Sequence, residues 1–108
     1  MQTTVTELDG RLFARLEADD RVFEVSFDTL DVTDVTLRFQ RDGERVGSVF
    51  NDDGTARTMA RLNVPGESDF VAVEVPKSFV ADVVDAAEDT DRVENPERLT
   101  GYRLRVLD

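Results

Sequence analysis

Hydrophobic and polar residues alternate over much of the chain's first 75 positions. Leu12, Ala14 and Leu16 are interleaved with Arg11, Phe13, Arg15 and Glu17, and Phe23, Val25 and Phe27 with Glu24 and Ser26. A two-residue period sends successive side chains to opposite faces of an extended backbone, so both stretches predict half-buried β-strands. Ala18-Asp19-Asp20-Arg21 between them predicts the reversal of a hairpin. A shorter strand is expected over Thr3 to Leu8, set off by the turn signal Asp9-Gly10.

Residues 28–34 read as a polar connection in which Leu30 and Val32 pack inward. Val35, Leu37 and Phe39 then mark the buried face of another strand. Asp42-Gly43 is the sharpest turn signal, because both residues tolerate the positive φ of a tight hairpin. Val46, Ser48 and Phe50 follow on one face of the return strand, the face that carries Val46 and Phe50 into the core. Asn51-Asp52-Asp53-Gly54 reverses the chain into Thr58, Ala60, Leu62 and Val64, and Pro65-Gly66-Glu67-Ser68 forms a loop before a strand over 70–75.

At Pro76 the period lengthens. Phe79, Val80, Val83, Val84 and Ala87 recur at helical spacing and predict an amphipathic helix over 76–88, with proline in its first turn. Residues 89–100 are charged, contain Pro96 and read as an irregular connection. Tyr102, Leu104 and Val106 alternate with Arg103 and Arg105, which predicts a final strand. The elements add up to a single small globular domain over 1–108 of the α+β class. Its expected form is a strongly bent antiparallel sheet, or a partly open small β-barrel, with one late packed helix. Val35, Val46, Phe50, Val71, Val73 and Leu104 are assigned to its core, and a bulge would exchange such assignments by one residue.

Charge changes the picture of the surface. The chain has 24 acidic and 13 basic residues, a net charge of −11. Asp outnumbers Glu, and Lys77 is the single lysine among the arginines. Self-repulsion on this scale opposes compaction, but at molar salt the screening length falls to about 3 Å. The Asp and Arg bias resembles the composition of halophilic archaeal proteins and implies a protein working in concentrated salt. Cysteine and histidine are missing. That excludes disulfides and thiolate nucleophiles, strips zinc of its preferred ligands, and leaves acid–base work near neutrality to shifted carboxylates. No apolar run reaches the roughly 20 residues of a membrane span, and the acidic start lacks signal-peptide features. A cytoplasmic protein without membrane contact is expected.

Candidate contact residues are the minority charges and the outward apolar side chains. Arg57 and Arg61, and Arg103 and Arg105, each share a strand face by spacing. If those strands neighbour each other, the four form a positive patch for phosphate, nucleic acid or an acidic protein. Arg38, Arg41 and Arg45 flank the Asp42-Gly43 hairpin as a second contact point, interrupted by Asp42 and Glu44. Phe13 and Met59 are candidates for an apolar protein contact. Asn51, Asp52 and Asp53 supply oxygens beside Gly54 but do not continue as a calcium loop, so no metal site is assigned. Val73-Glu74-Val75-Pro76-Lys77-Ser78-Phe79-Val80 resembles the strand-to-helix element of AbrB-like swapped-hairpin transcription factors. The acidic strand and the lack of a Leu-Gly helix ending depart from that pattern, and the family is not adopted.

No nucleophile elbow, dinucleotide fingerprint or phosphate loop is present, and no cofactor or catalytic residue is assigned. The leading expectation is a non-enzymatic binding or adaptor module acting through protein contacts, with homo-oligomers compatible with the same surfaces. Nucleic-acid binding or transcriptional regulation through an arginine-bearing sheet face is the alternative, and a metal-assisted carboxylate enzyme the third.

Overall fold

The alternating stretches are strands in the computed structural model, which describes residues 2–52, 54 and 57–108. In chain order they are β1 (Gln2–Leu8), β2 (Arg11–Glu17), β3 (Val22–Phe27), β4 (Thr29–Val32), β5 (Thr36–Arg41), β6 (Glu44–Asp52), β7 (Arg57–Asn63) and β8 (Phe70–Glu74). Helix α1 (Lys77–Asp89) follows, then β9 (Val93–Glu94), a 3-10 turn (Pro96–Arg98), and helix α2 (Leu99–Tyr102) running into a π-type turn (Arg103–Leu107). The strands form one strongly curled half-barrel ordered β1-β2-β3-β7-β6-β5-β4-β9, with β8 on β7. Every pairing is antiparallel except β4 with β9.

The expected hairpin turns form for the expected reason. Asp9 and Gly10 have φ of 53° and 79°, and Asp42 and Gly43 have 55° and 82°. Two successive positive φ values match the twist of the strands they join. Inward residues of β2, β3, β4 and β5 close one core, and α1 fills the concave side with Phe79, Val80, Val83, Val84 and Ala87. Burying each larger apolar side chain of this stripe is worth about 1.5–3 kcal/mol.

Three expectations about the chain path are corrected. The segment read as a polar connection at 28–34 contains strand β4, held between β5 and β9, with Leu30 and Val32 fully buried. Val35 lies outside β5 and is 47% exposed. The Thr33 hydroxyl donates to the Thr36 carbonyl and accepts from the Thr36 N–H, closing a tight turn around Val35.

β6 is inverted relative to its expected facing. Leu37, Arg38 and Phe39 oppose Val49, Ser48 and Gly47, but Gln40 opposes Arg45, so Val46 is an extra residue. That bulge turns Gly47 and Val49 inward and leaves Val46, Ser48 and Phe50 half-buried on the other side. Gly47 is required there. A Cβ on it would sit 2.7 Å from the Arg61 carbonyl oxygen, 3.2 Å from the Phe39 ring and 3.6 Å from Val25.

The third correction is the C-terminus, which is helical rather than a strand. Leu99, Tyr102 and Val106 are its buried positions, while Leu104 is 67% exposed. Spacings of three and four residues are those of a helix face. Tyr102 is wholly buried, and its hydroxyl has no hydrogen-bond partner among the described residues. Burial pushes its ionisation above the ordinary phenol range. Val71 and Val73, assigned to the core, are half-buried and pack at its margin.

Candidate binding groove

Alternation that buries one face of β1–β3 presents the other to solvent. Thr6 lies opposite Phe13, and Phe13 opposite Ser26; Thr4 lies opposite Arg15, and Arg15 opposite Glu24. These six side chains make the floor of a groove of about 520 Å³. Beyond β3 the sheet is joined to β7 at Glu24 and Asn63. There the β5–β6 hairpin supplies one wall, through Arg41 and Val46, and the loop after β7 supplies the other. That loop is a type II turn: the Glu67 N–H donates to the Val64 carbonyl at 2.9 Å, with Pro65 second and Gly66 third at φ 90°.

A chain of polar contacts fixes the hairpin wall. Arg11 bridges to Asp42 at 3.1 Å, and the Asp42 N–H donates to Asp28 Oδ2 at 3.0 Å. That N–H holds the Asp28 carboxyl below the usual carboxylate range against the opposing effect of burial, helped by the Thr29 hydroxyl and the charges of Arg11 and Arg92. Next to this clasp Arg41 Nη1 donates to the Ser26 hydroxyl at 2.6 Å. Its guanidinium is therefore oriented, and no carboxylate among the described residues pairs with it. Arg15, by contrast, is engaged by Glu17 at 3.1 Å and Glu24 at 3.6 Å. The groove thus offers one half-exposed aromatic ring, hydroxyl and amide groups, and one oriented cation without a carboxylate partner.

The arginines singled out by spacing are dispersed. Arg57 and Arg61 lie on the outward face of β7, where Arg57 pairs with Asp52 at 3.6 Å and Arg61 sits 5.4 Å over the Phe50 ring. Arg103 and Arg105 are on the C-terminal helical turn, so the neighbouring strand that a four-arginine face requires does not exist. Arg103 bonds to Asp85 and Glu88 on α1 at 2.9 and 3.5 Å, and Arg105 turns instead to Asp34 at 3.6 Å. Arg38 lies 3.9 Å from Asp31. Arg45 shares a shallow depression of about 100 Å³ with Arg61 and Phe70. Of the hairpin arginines, only Arg41 enters the groove.

Phe13 is part of the groove floor, whereas Met59 lies half-buried on β7 between Phe50 and Glu74, so the two do not make one patch. Thr4, Thr6, Ser26 and Asn63 were not singled out by sequence reasoning. Their signal was their outward parity, shared with Phe13. Among the described residues no group of three acidic side chains is arranged to hold a metal ion, and Asp53 lies outside them. No helix among them is long and apolar enough to cross a membrane. No protein-family model, curated protein or solved structure matches the chain.

Proposed function

We propose that this chain is a non-enzymatic binding module that acts through protein contacts, holding an extended segment of a partner in the groove across β1–β3. The observation that carries the reading is Arg41, oriented by Ser26 and without a carboxylate partner among the described residues, beside the open ring of Phe13. A segment suited to this surface lays an apolar side chain on Phe13 and directs a carboxylate to Arg41. A charge-assisted contact of this kind gains geometric definition from a guanidinium already held in place. The volume lies within the range of about 300–1,000 Å³ common to ligand clefts.

The Asp and Arg bias supports a halophilic, archaeal, cytoplasmic setting for this module. Concentrated salt weakens attraction to phosphates steeply. It penalises stacking and short hydrogen bonds much less, which favours a groove of this composition over a nucleic-acid surface built on dispersed arginines, most of them paired with acids. Selection of binders from a displayed peptide library against the folded chain in molar salt tests the reading. Recovered peptides are expected to carry an acidic residue close to an apolar one. Phe13→Ala and Arg41→Ala are each expected to weaken them about 10-fold, a change of about 1.4 kcal/mol. A selection that yields no binder, or binders indifferent to both substitutions, overturns it.

A further inference from the structure

β1 pairs with β2 through seven consecutive residues without a register shift. Its other edge has no backbone partner among the described residues. Long free edges are ordinarily guarded by lysine, proline, a bulge or a covering segment. β1 has no lysine, proline or bulge: it reads Gln-Thr-Thr-Val-Thr-Glu-Leu, and its single charge, Glu7, shares the parity of Thr3 and Val5 but is exposed, as are Gln2, Thr4, Thr6 and Leu8. β8 also has a free edge, but it is shorter, follows Asp69, ends in Glu74, and is followed closely by Pro76. The opposite end of the sheet closes on the two-residue β9. Among the described residues β1 is the longest free edge of the sheet.

We propose that β1 pairs antiparallel with β1 of a second copy of this chain, across a two-fold axis at Val5, joining two half-barrels into one continuous sheet. A two-fold axis perpendicular to the sheet keeps outward residues opposite outward residues, and an axis through Val5 engages the whole strand. Gln2 then faces Leu8 of the second copy, Thr3 faces Glu7, Thr4 faces Thr6, and Val5 faces Val5. The strand's one charge meets a threonine rather than its own copy, and the Thr4–Thr6 pairs are favourable cross-strand neighbours. Thr4 and Thr6 also line the groove. The two grooves therefore come to lie side by side on one outer face, and neither is blocked.

Pairing a single edge buries an area at the low end of specific interfaces, below about 1,200 Å², so the dimer is reversible and concentration-dependent. The charge of −11 on each chain opposes it at low ionic strength. Screening to about 3 Å at 1 M salt removes most of that repulsion, so the dimer strengthens as salt rises.

Sedimentation equilibrium across a salt series reads the mass directly. The expected result is a shift from the 12.1 kDa chain toward twice that mass as salt increases. Thr4→Asp combined with Thr6→Asp sets like charges opposite each other at two places and is expected to weaken association about 10-fold or more. Thr4→Asp combined with Thr6→Lys sets opposite charges there and is expected to retain it. The chain has no cysteine, so single cysteines report proximity without background. Facing Cα atoms in antiparallel strands lie about 4.5–5.5 Å apart, within disulfide range. Val5→Cys is therefore expected to oxidise to a covalent dimer faster than Leu8→Cys, although Leu8 is 62% exposed. A monomer at every salt concentration, a dimer insensitive to the charge pairs, or faster crosslinking of Leu8→Cys overturns the proposal.

Discussion

Replacing Gly47 by alanine tests the point where the half-barrel is folded most tightly. The added Cβ would lie 2.7 Å from the Arg61 carbonyl oxygen, against about 3.4 Å for an ordinary contact. That carbonyl cannot swing aside, because Arg61 is paired with Ser48 on one side of β7 and with Ala72 on the other. The Phe39 ring at 3.2 Å closes a second direction. Overpacking of a filled core costs about 1–3 kcal/mol, and a backbone obstacle belongs at the upper end. Restricting the unfolded chain returns about 0.4–1 kcal/mol. The net expectation is a loss of about 2 kcal/mol. At about 4 °C per kcal/mol for a chain of this size, the melting temperature falls by about 8 °C. Circular dichroism melts in molar salt provide the assay. Gly101→Ala is the control: it lies in α2 with nothing within 4 Å of the added Cβ, so it should gain about 0.5–1 kcal/mol. If Gly47→Ala melts at or above the parent temperature while the control behaves as expected, the close approach and the bulge beside it are refuted.

Tyr102→Phe removes a buried hydroxyl without a partner and should raise stability by about 1 kcal/mol; a clear loss in chemical denaturation would show that the hydroxyl is bonded. Asp28 has a lowered folded-state pKa, so its contribution is complete above the unfolded value of about 3.9 and is lost as pH falls through the folded one. Asp28→Asn should accordingly be less stable than the parent at pH 7, with the gap closing below about pH 4; a gap that widens on acidification contradicts the sign. Arg103→Ala severs contacts to Asp85 and Glu88 that are largely solvent-exposed, and should cost no more than about 1 kcal/mol, shrinking as salt is added.

The β2–β3 hairpin, the two Asp-Gly turns and the stripe of α1 were legible because each depends on neighbours in sequence. Alternation follows from the pleat, positive φ from the small steric demands of Asp and Gly, and the stripe from the helical repeat. The C-terminal helix was also encoded locally, in the spacing of Leu99, Tyr102 and Val106. The competing alternation of Tyr102, Leu104 and Val106 concealed it, because two of those three residues belong to both patterns.

What sequence alone determined is a curled, mainly antiparallel sheet packed by a late helix, and a strongly acidic composition. Tertiary structure decided which way β6 faces, since the bulge at Val46 answers to strand pairing on both sides and to the carbonyl of Arg61 across it. It also decided where the candidate site lies. Thr6, Phe13, Ser26, Arg41 and Asn63 come from separate strands, and no local rule brings them together. Arg57, Arg61, Arg103 and Arg105 were conspicuous in the chain but were drawn apart once their elements took their places, Arg57, Arg103 and Arg105 to different acids and Arg61 to the Phe50 ring. Arg41 was less conspicuous, and the fold oriented it in the groove by a hydrogen bond to a serine on another strand. Local sterics set the elements; contacts between residues far apart in sequence set the surface on which they can act.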